Sequence, residues 1–109
     1  MKMIHPFYKF LALMLLGMIL TQCSDKNSGE YVQEGLEHLN HEQYDSAKKS
    51  FLKAIEKDAN NVDGYYSLGG IYNYQEKFKD AEQVFKSVLK IDPTHHNAWY
   101  SLGYTYELM

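Results

Sequence analysis

Apolar residues recur along this chain in two rhythms. From Phe10 to Leu20 they are continuous, with no polar side chain among them. From Tyr31 onward they stand three and four apart, the period that puts them on one face of a helix. Tyr44, Ala47, Phe51, Ala54 and Ile55 make one such face, and Phe78, Ala81, Val84, Phe85, Val88 and Leu89 another. The breaks between these stretches are short and polar. The pattern predicts helices over about Gly29 to Asn40, Tyr44 to Lys57, Val62 to Tyr74 and Phe78 to Ile91, and a fifth from His96 or Asn97 to the C-terminus. Asn61 is placed to cap the third helix. Asp92-Pro93 ends the fourth, because proline lacks an amide proton and restricts the residue before it.

The helical stretches repeat. Tyr65-Tyr66-Ser67-Leu68-Gly69-Gly70-Ile71-Tyr72 returns as Trp99-Tyr100-Ser101-Leu102-Gly103-Tyr104-Thr105-Tyr106, at a step of 34 residues. Tyr31, Gly35 and His38 make a weaker copy one step upstream. The second helices keep the same step: Tyr44 pairs with Phe78, Ala47 with Ala81, Phe51 with Phe85, Ala54 with Val88 and Ile55 with Leu89. A fixed period of this size marks an array of stacked helical pairs. Glycine inside a helix costs about 1 kcal/mol against alanine, so Gly35, Gly69 and Gly103 at one spacing point to a steric demand where two helices meet. Tyr65, Tyr72, Trp99, Tyr106, Phe51 and Phe85, aromatic at helical spacing, are expected in the core.

These positions resemble tetratricopeptide repeats (TPR). Tyr65, Leu68, Gly69, Tyr72, Ala81, Phe85 and Pro93 carry the pattern most fully, and Trp99, Leu102, Gly103 and Tyr106 open a further copy. The resemblance implies an all-α, helix-turn-helix solenoid of about two and a half repeats over 29–109, with units at 28–61, 62–95 and, in part, 96–109. In such a solenoid the first helices line a concave groove. The groove positions are then Val32, Leu36 and Leu39; Tyr66, Gly70 and Asn73; and Tyr100, Tyr104 and Glu107. Val32, Leu36, Tyr66, Asn73, Tyr100 and Tyr104 are the residues expected to bind a protein or peptide. One TPR subclass grips a C-terminal carboxylate with Lys, Arg and Asn. Here there is no Arg, and Asn73 alone has a suitable side chain, so no clamp of that kind is expected. The final helix stands without a second helix. It is open to three readings: a lid on the array, the edge of a longer protein, or an end that packs on another chain, including a copy of itself in a self-assembling envelope complex.

The continuous apolar run has a different meaning. It is shorter than the roughly 20 residues a membrane-spanning helix needs. With Lys2 and Lys9 before it and polar sequence after it, the run fits a secretory signal peptide. Leu20-Thr21-Gln22-Cys23 resembles the cleavage motif of bacterial lipoprotein precursors, although Gln22 stands where a small residue is usual. The resemblance implies a signal peptide over 1–22, cleavage before Cys23, acylation of the Cys23 thiol and amine, and a polar tether over 23–28. Several acyl chains make a lasting anchor where one is marginal. The implied address is the bacterial cell envelope, lipid-anchored, at the outer membrane facing the periplasm.

Charge narrows the partner class. Without Lys2 and Lys9, nine Lys stand against 14 acidic residues, a net of −5. Such a surface does not suit nucleic acid, whose phosphates are neutralised by Lys and Arg. No catalytic constellation, cofactor motif or metal set is expected. Gly69-Gly70 lacks the Lys-Ser/Thr of a phosphate loop, and the pairs His38/His41 and His95/His96 lack further convergent ligands. Lys48, Lys49, Lys53 and Lys57 read as the wet outer face of one helix. The expected function is that of a membrane-anchored interaction module, not an enzyme.

Overall fold

A computed structural model of the chain describes residues 26–109. The predicted signal peptide and Cys23 lie outside the described residues. Five helices follow one another: α1 (Ser28–Asn40), α2 (Tyr44–Lys57), α3 (Val62–Tyr74), α4 (Phe78–Ile91) and α5 (His96–Leu108). Among the described residues there is no strand. The helix bounds match those predicted from the sequence to within a residue.

The first helix of each unit starts the same way. Asn27 accepts a hydrogen bond from the Glu30 amide at 2.9 Å, Asn61 from the Gly64 amide at 2.9 Å, and His95 Nδ1 from the Ala98 amide at 3.0 Å. These three residues are one repeat step apart, so the cap is part of the repeat although the residue type changes. Each satisfies an amide that a helix start leaves without an intrahelical partner. Asn27 completes a capping box, since Glu30 accepts in return from the Asn27 amide. His95 accepts on Nδ1, so its proton sits on Nε2.

The hairpin turns repeat as well. Glu42 and Glu76, one step apart, have φ of 56° and 61°. The next amides, of Gln43 and Lys77, donate back to the carbonyls of His38 and Tyr72, both at 2.8 Å. A left-handed residue after a helix lets these late carbonyls find donors, and the chain reverses within three residues.

Glycine and phenylalanine join the two helices of each hairpin. A Cβ on Gly35 would lie 2.6 Å from the Phe51 ring, and one on Gly69 would lie closer than 3.0 Å to three ring atoms of Phe85. The phenylalanine ring rests on bare helix backbone in both hairpins. Phe51 and Phe85 are fully buried. Ala47 and Ala81 are at 0 % exposure on the same second helices, four residues before each ring. The first core gathers Val32, Ala47, Phe51, Ala54, Leu68 and Ile71, and so reaches from the first hairpin into α3. The second gathers Ala81, Phe85 and Leu102, with Tyr66, Tyr72 and Leu89 packed against it. Two polar links run from one first helix to the start or side of the next. Asn61 Nδ2 donates to Ser28 Oγ, which donates to the Ala54 carbonyl at 2.8 Å. Buried Thr105 meets the Asn73 side chain at 2.9 Å, joining α5 to α3.

Two sequence expectations need correction. Trp99 and Tyr106, expected in the core, are 55 % and 47 % exposed. Their counterparts Tyr65 and Tyr72 are partly buried, because α4 lies against them; no described helix covers α5 in that way. The polar ends of both residues are still held. Trp99 Nε1 donates to the Pro93 carbonyl at 2.9 Å, and the Tyr106 hydroxyl donates to Glu82 at 3.0 Å. Lys86 Nζ also bonds Glu82, at 2.7 Å. These two donors hold the Glu82 carboxyl below its usual range. The lysine face of α2 is also less uniform than expected. Lys53 and Lys48 lay their ammonium groups over the rings of Tyr31 and Tyr72, at 5.6 Å and 5.9 Å from the centroids.

Candidate binding groove

The first helices α1, α3 and α5 bring their facing residues together around a cavity of about 360 Å³. Leu39 comes from α1 and Tyr44 from the start of α2. Tyr66, Ser67, Gly70, Asn73 and Tyr74 come from α3, and Ser101 from α5. The volume lies within the usual range for small ligand sites. Tyr44 and Tyr74 stack at one rim, with centroids 4.6 Å apart and planes 23° from parallel. Tyr74 is 68 % exposed, so its outer ring face is free.

Gly70 sets the depth of this cavity. A Cβ there would meet nothing within 4 Å. Its neighbour Gly69, by contrast, is wedged against Phe85. The Gly69-Gly70 pair therefore serves two ends: one glycine admits a ring from within the fold, and the other leaves room on the open side. Asn73 is held by Thr105, whose hydroxyl lies 2.8 Å from the Ser101 carbonyl as donor. The Asn73 amide donates to the Thr105 hydroxyl at 2.9 Å, and its carbonyl oxygen lies 3.1 Å from the same hydroxyl, so Asn73 ties α3 to α5 at the cavity edge.

The sequence-expected binding residues are dispersed. Tyr66 and Asn73 line the cavity, as do the groove positions Leu39 and Gly70. Val32 does not. It is 5 % exposed, packed in the first core, and offers a partner no surface. The same repeat position explains Tyr66, whose ring meets Phe85 with centroids 5.8 Å apart and His95 at 5.1 Å. That position faces the second helix of its own hairpin first and the groove only along one edge. Tyr100, its copy in α5, is 77 % exposed because no described second helix meets it. Leu36 and Tyr104 are surface residues, 38 % and 48 % exposed, outside the cavity wall. Sequence reasoning missed Tyr44, Ser67, Ile71, Tyr74, Phe85 and Ser101. Tyr74 ends α3 just before the turn, and only the hairpin geometry carries Tyr44 back against it.

Among the described residues there is no group of three or more His, Cys, Asp or Glu that could hold a metal ion. No described helix is long and apolar enough to cross a membrane.

Comparisons with known proteins bear on this geometry. No curated protein matches the chain. Among solved structures, the chain is similar to MamA protein at 23 % identity and a TM-score of 0.73, over 75 % of this chain and 45 % of that one. The chain thus spans about half the length of MamA. It is also similar to the second TPR domain of human RPAP3, in complex with the HSP70 peptide SGPTIEEVD, at 22 % identity and a TM-score of 0.69, over 73 % of this chain and 67 % of that one. The second TPR of Spaghetti (RPAP3), bound to the HSP90 peptide SRMEEVD, is similar at 16 % identity and a TM-score of 0.72, over 80 % and 81 %. At such identities the likeness is one of fold. The family model described as Tetratricopeptide repeat matches residues 32–96, more than half of the chain. That span holds both glycine-phenylalanine hairpins and the turns that close them, and the chain belongs to the tetratricopeptide repeat family.

Proposed function

We propose that this chain is a lipid-anchored adaptor of the bacterial cell envelope, holding a protein or peptide segment in the groove of its first helices. The observation that carries the binding role is the cavity between α1, α3 and α5, with its tyrosine rim and the open floor at Gly70. Exposed tyrosines are frequent anchors in protein interfaces. The RPAP3 domains, similar in fold, were solved with peptides, which supports a peptide ligand here.

The chemistry of the ligand differs from theirs. Both RPAP3 peptides end in Glu-Glu-Val-Asp, an acidic tail that calls for cationic donors. The residues around this cavity include no Lys and, as everywhere in the chain, no Arg. Tyrosine rings, Leu39 and one amide suit a segment with large apolar or aromatic side chains and a neutral hydrogen-bonding backbone. The lipid would act through concentration: one partner held on a surface meets the next far more often than in free solution.

Panning a random-sequence peptide display library on the full-length chain tests the groove. Peptides enriched in aromatic and large aliphatic residues are expected. Gly70→Gln should remove that enrichment by filling the cavity floor, while helix content stays unchanged because the added side chain meets nothing in the fold. Enrichment of acidic C-termini, or enrichment that survives Gly70→Gln, would refute the groove reading. The anchor is tested separately. Cys23→Ser should abolish incorporation of labelled palmitate and leave the precursor uncut; normal maturation of that variant would rule the lipid out.

A further inference from the structure

The groove selects through what its wall lacks as well as through its rings. None of its lining residues carries a charge. Its one side-chain carbonyl, on Asn73, already meets the Thr105 hydroxyl at 3.1 Å. What remains for hydrogen bonding is a set of hydroxyl groups. Helical serines elsewhere spend theirs on the helix: Ser50 and Ser87 donate to the carbonyls of Ser46 and Gln83, at 3.2 Å and 3.1 Å. Ser67 and Ser101, one repeat step apart on the cavity wall, make no such bond to any described residue, and neither does the Tyr66 hydroxyl.

We propose that the segment held there is proline-rich and binds as a polyproline II helix, with prolines against the free face of Tyr74 and one larger aliphatic side chain over Gly70. This inference rests on the groove reading above and names its ligand. A proline residue offers a carbonyl and no amide proton. Its backbone therefore brings acceptors to the free hydroxyls and no amide donor that the wall must pair. An ordinary extended segment carries an N–H at each residue, and one left unpaired against apolar surface is costly. An α-helix satisfies its own N–H groups but is too thick. One turn, about 10 Å across and about 5.4 Å long, fills roughly 420 Å³, more than the cavity of about 360 Å³. The polyproline II form is thin, carries no internal hydrogen bonds and is ordered before it binds. Aromatic-lined grooves receive it on flat ring faces, and the Tyr44–Tyr74 stack presents one. Its lack of charge matches the uncharged wall.

The test follows tyrosine ring signals by NMR in the full-length chain, in detergent, as a capped oligoproline peptide with one central leucine is added. Saturable shifts are expected for Tyr66 and Tyr74. Tyr65, which lies in a separate hollow with Ala59 and Lys90, should not move. The same peptide with its prolines replaced by alternating alanine and serine should bind about tenfold more weakly, having lost its preformed shape. Ser67→Ala combined with Ser101→Ala should weaken the proline peptide by about fivefold or more, and Gly70→Gln should abolish its binding. Equal binding of the two peptides would overturn the proposal, as would binding of the proline peptide that survives Gly70→Gln. The display-selected peptides separate the two ways of failing. If they bind the parent chain and are lost with Gly70→Gln while the proline peptide moves no ring signal, the groove stands and the proline reading falls. If no peptide is sensitive to Gly70→Gln, the groove reading falls and this one with it.

Discussion

Phe51→Ala is expected to lower stability by about 3–5 kcal/mol, the usual cost of emptying a buried phenylalanine site. Phe51 is at 0 % exposure and stands at the meeting of three helices. Its ring lies on Gly35 of α1, while Ala54, one turn along the same helix, and Leu68 and Ile71 of α3 share its core. The truncation therefore loosens the first hairpin and its junction with the second together. Domains of this size hold about 5–15 kcal/mol in all, so the variant should lose much of its margin. Urea denaturation followed by circular dichroism reads the loss as a lower midpoint. Leu52→Ala, one residue along but 47 % exposed, should barely move it. Equal shifts for the two variants would mean that the hairpins do not share a core.

Gly69→Ala and Gly103→Ala should act in opposite directions. They make the same chemical change at the same position of successive repeats. At Gly69 the new methyl group would overlap the buried Phe85 ring, and overpacking of this kind costs about 1–3 kcal/mol. At Gly103 it enters open space, and the helix gains about 1 kcal/mol from alanine's better propensity. For a domain of this size each kcal/mol moves the thermal midpoint by about 4–8 °C. Gly103→Ala should melt higher than the parent chain and Gly69→Ala lower. If both rose, Phe85 would not be seated on glycine as described. If both fell, the α5 face would be covered in solution.

The sequence carried the helices and the repeat almost completely, because each left a periodic trace. Spacings of three and four gave the faces, and glycine at a step of 34 pointed to close helix contacts. Only the structure shows that phenylalanine is seated on Gly35 and Gly69 and that Gly103 meets nothing. The N-caps of the first and third units were harder to see. Asn27 and His95 share a position with Asn61, but His is an unusual cap and the match appears only when three different side chains are seen accepting the same bond. The groove was read less well. Counting along one helix placed Val32 and Leu36 beside Tyr66, whereas Val32 turns into the core and Leu36 stands apart from the cavity. A helix with neighbours on two sides has no single inner face, and the angle at which the second helix crosses it decides which residues are spent on packing. Trp99 and Tyr106 were misplaced for a related reason. Repeat counting assigns a residue its role from its position, but burial also needs the next element to be present.

The order of contacts along the chain bears on how it folds. Each helix is seated mainly on the helices next to it in sequence, and α3 and α5 touch across α4 through Asn73 and Thr105. The turns between helices are only a few residues long. Little chain must be gathered before a contact can form, so the entropy of loop closure is small. Such topologies fold quickly, and folding can begin in any unit and spread to its neighbours. Either hairpin can form first, with Phe51 or Phe85 finding its glycine across a turn. The Asn61 to Ser28 bond, which spans 33 residues, can close only after the first hairpin has formed and the chain has turned into α3. It ties the start of α1 to the cap of α3, so the first hairpin fixes where the next one begins.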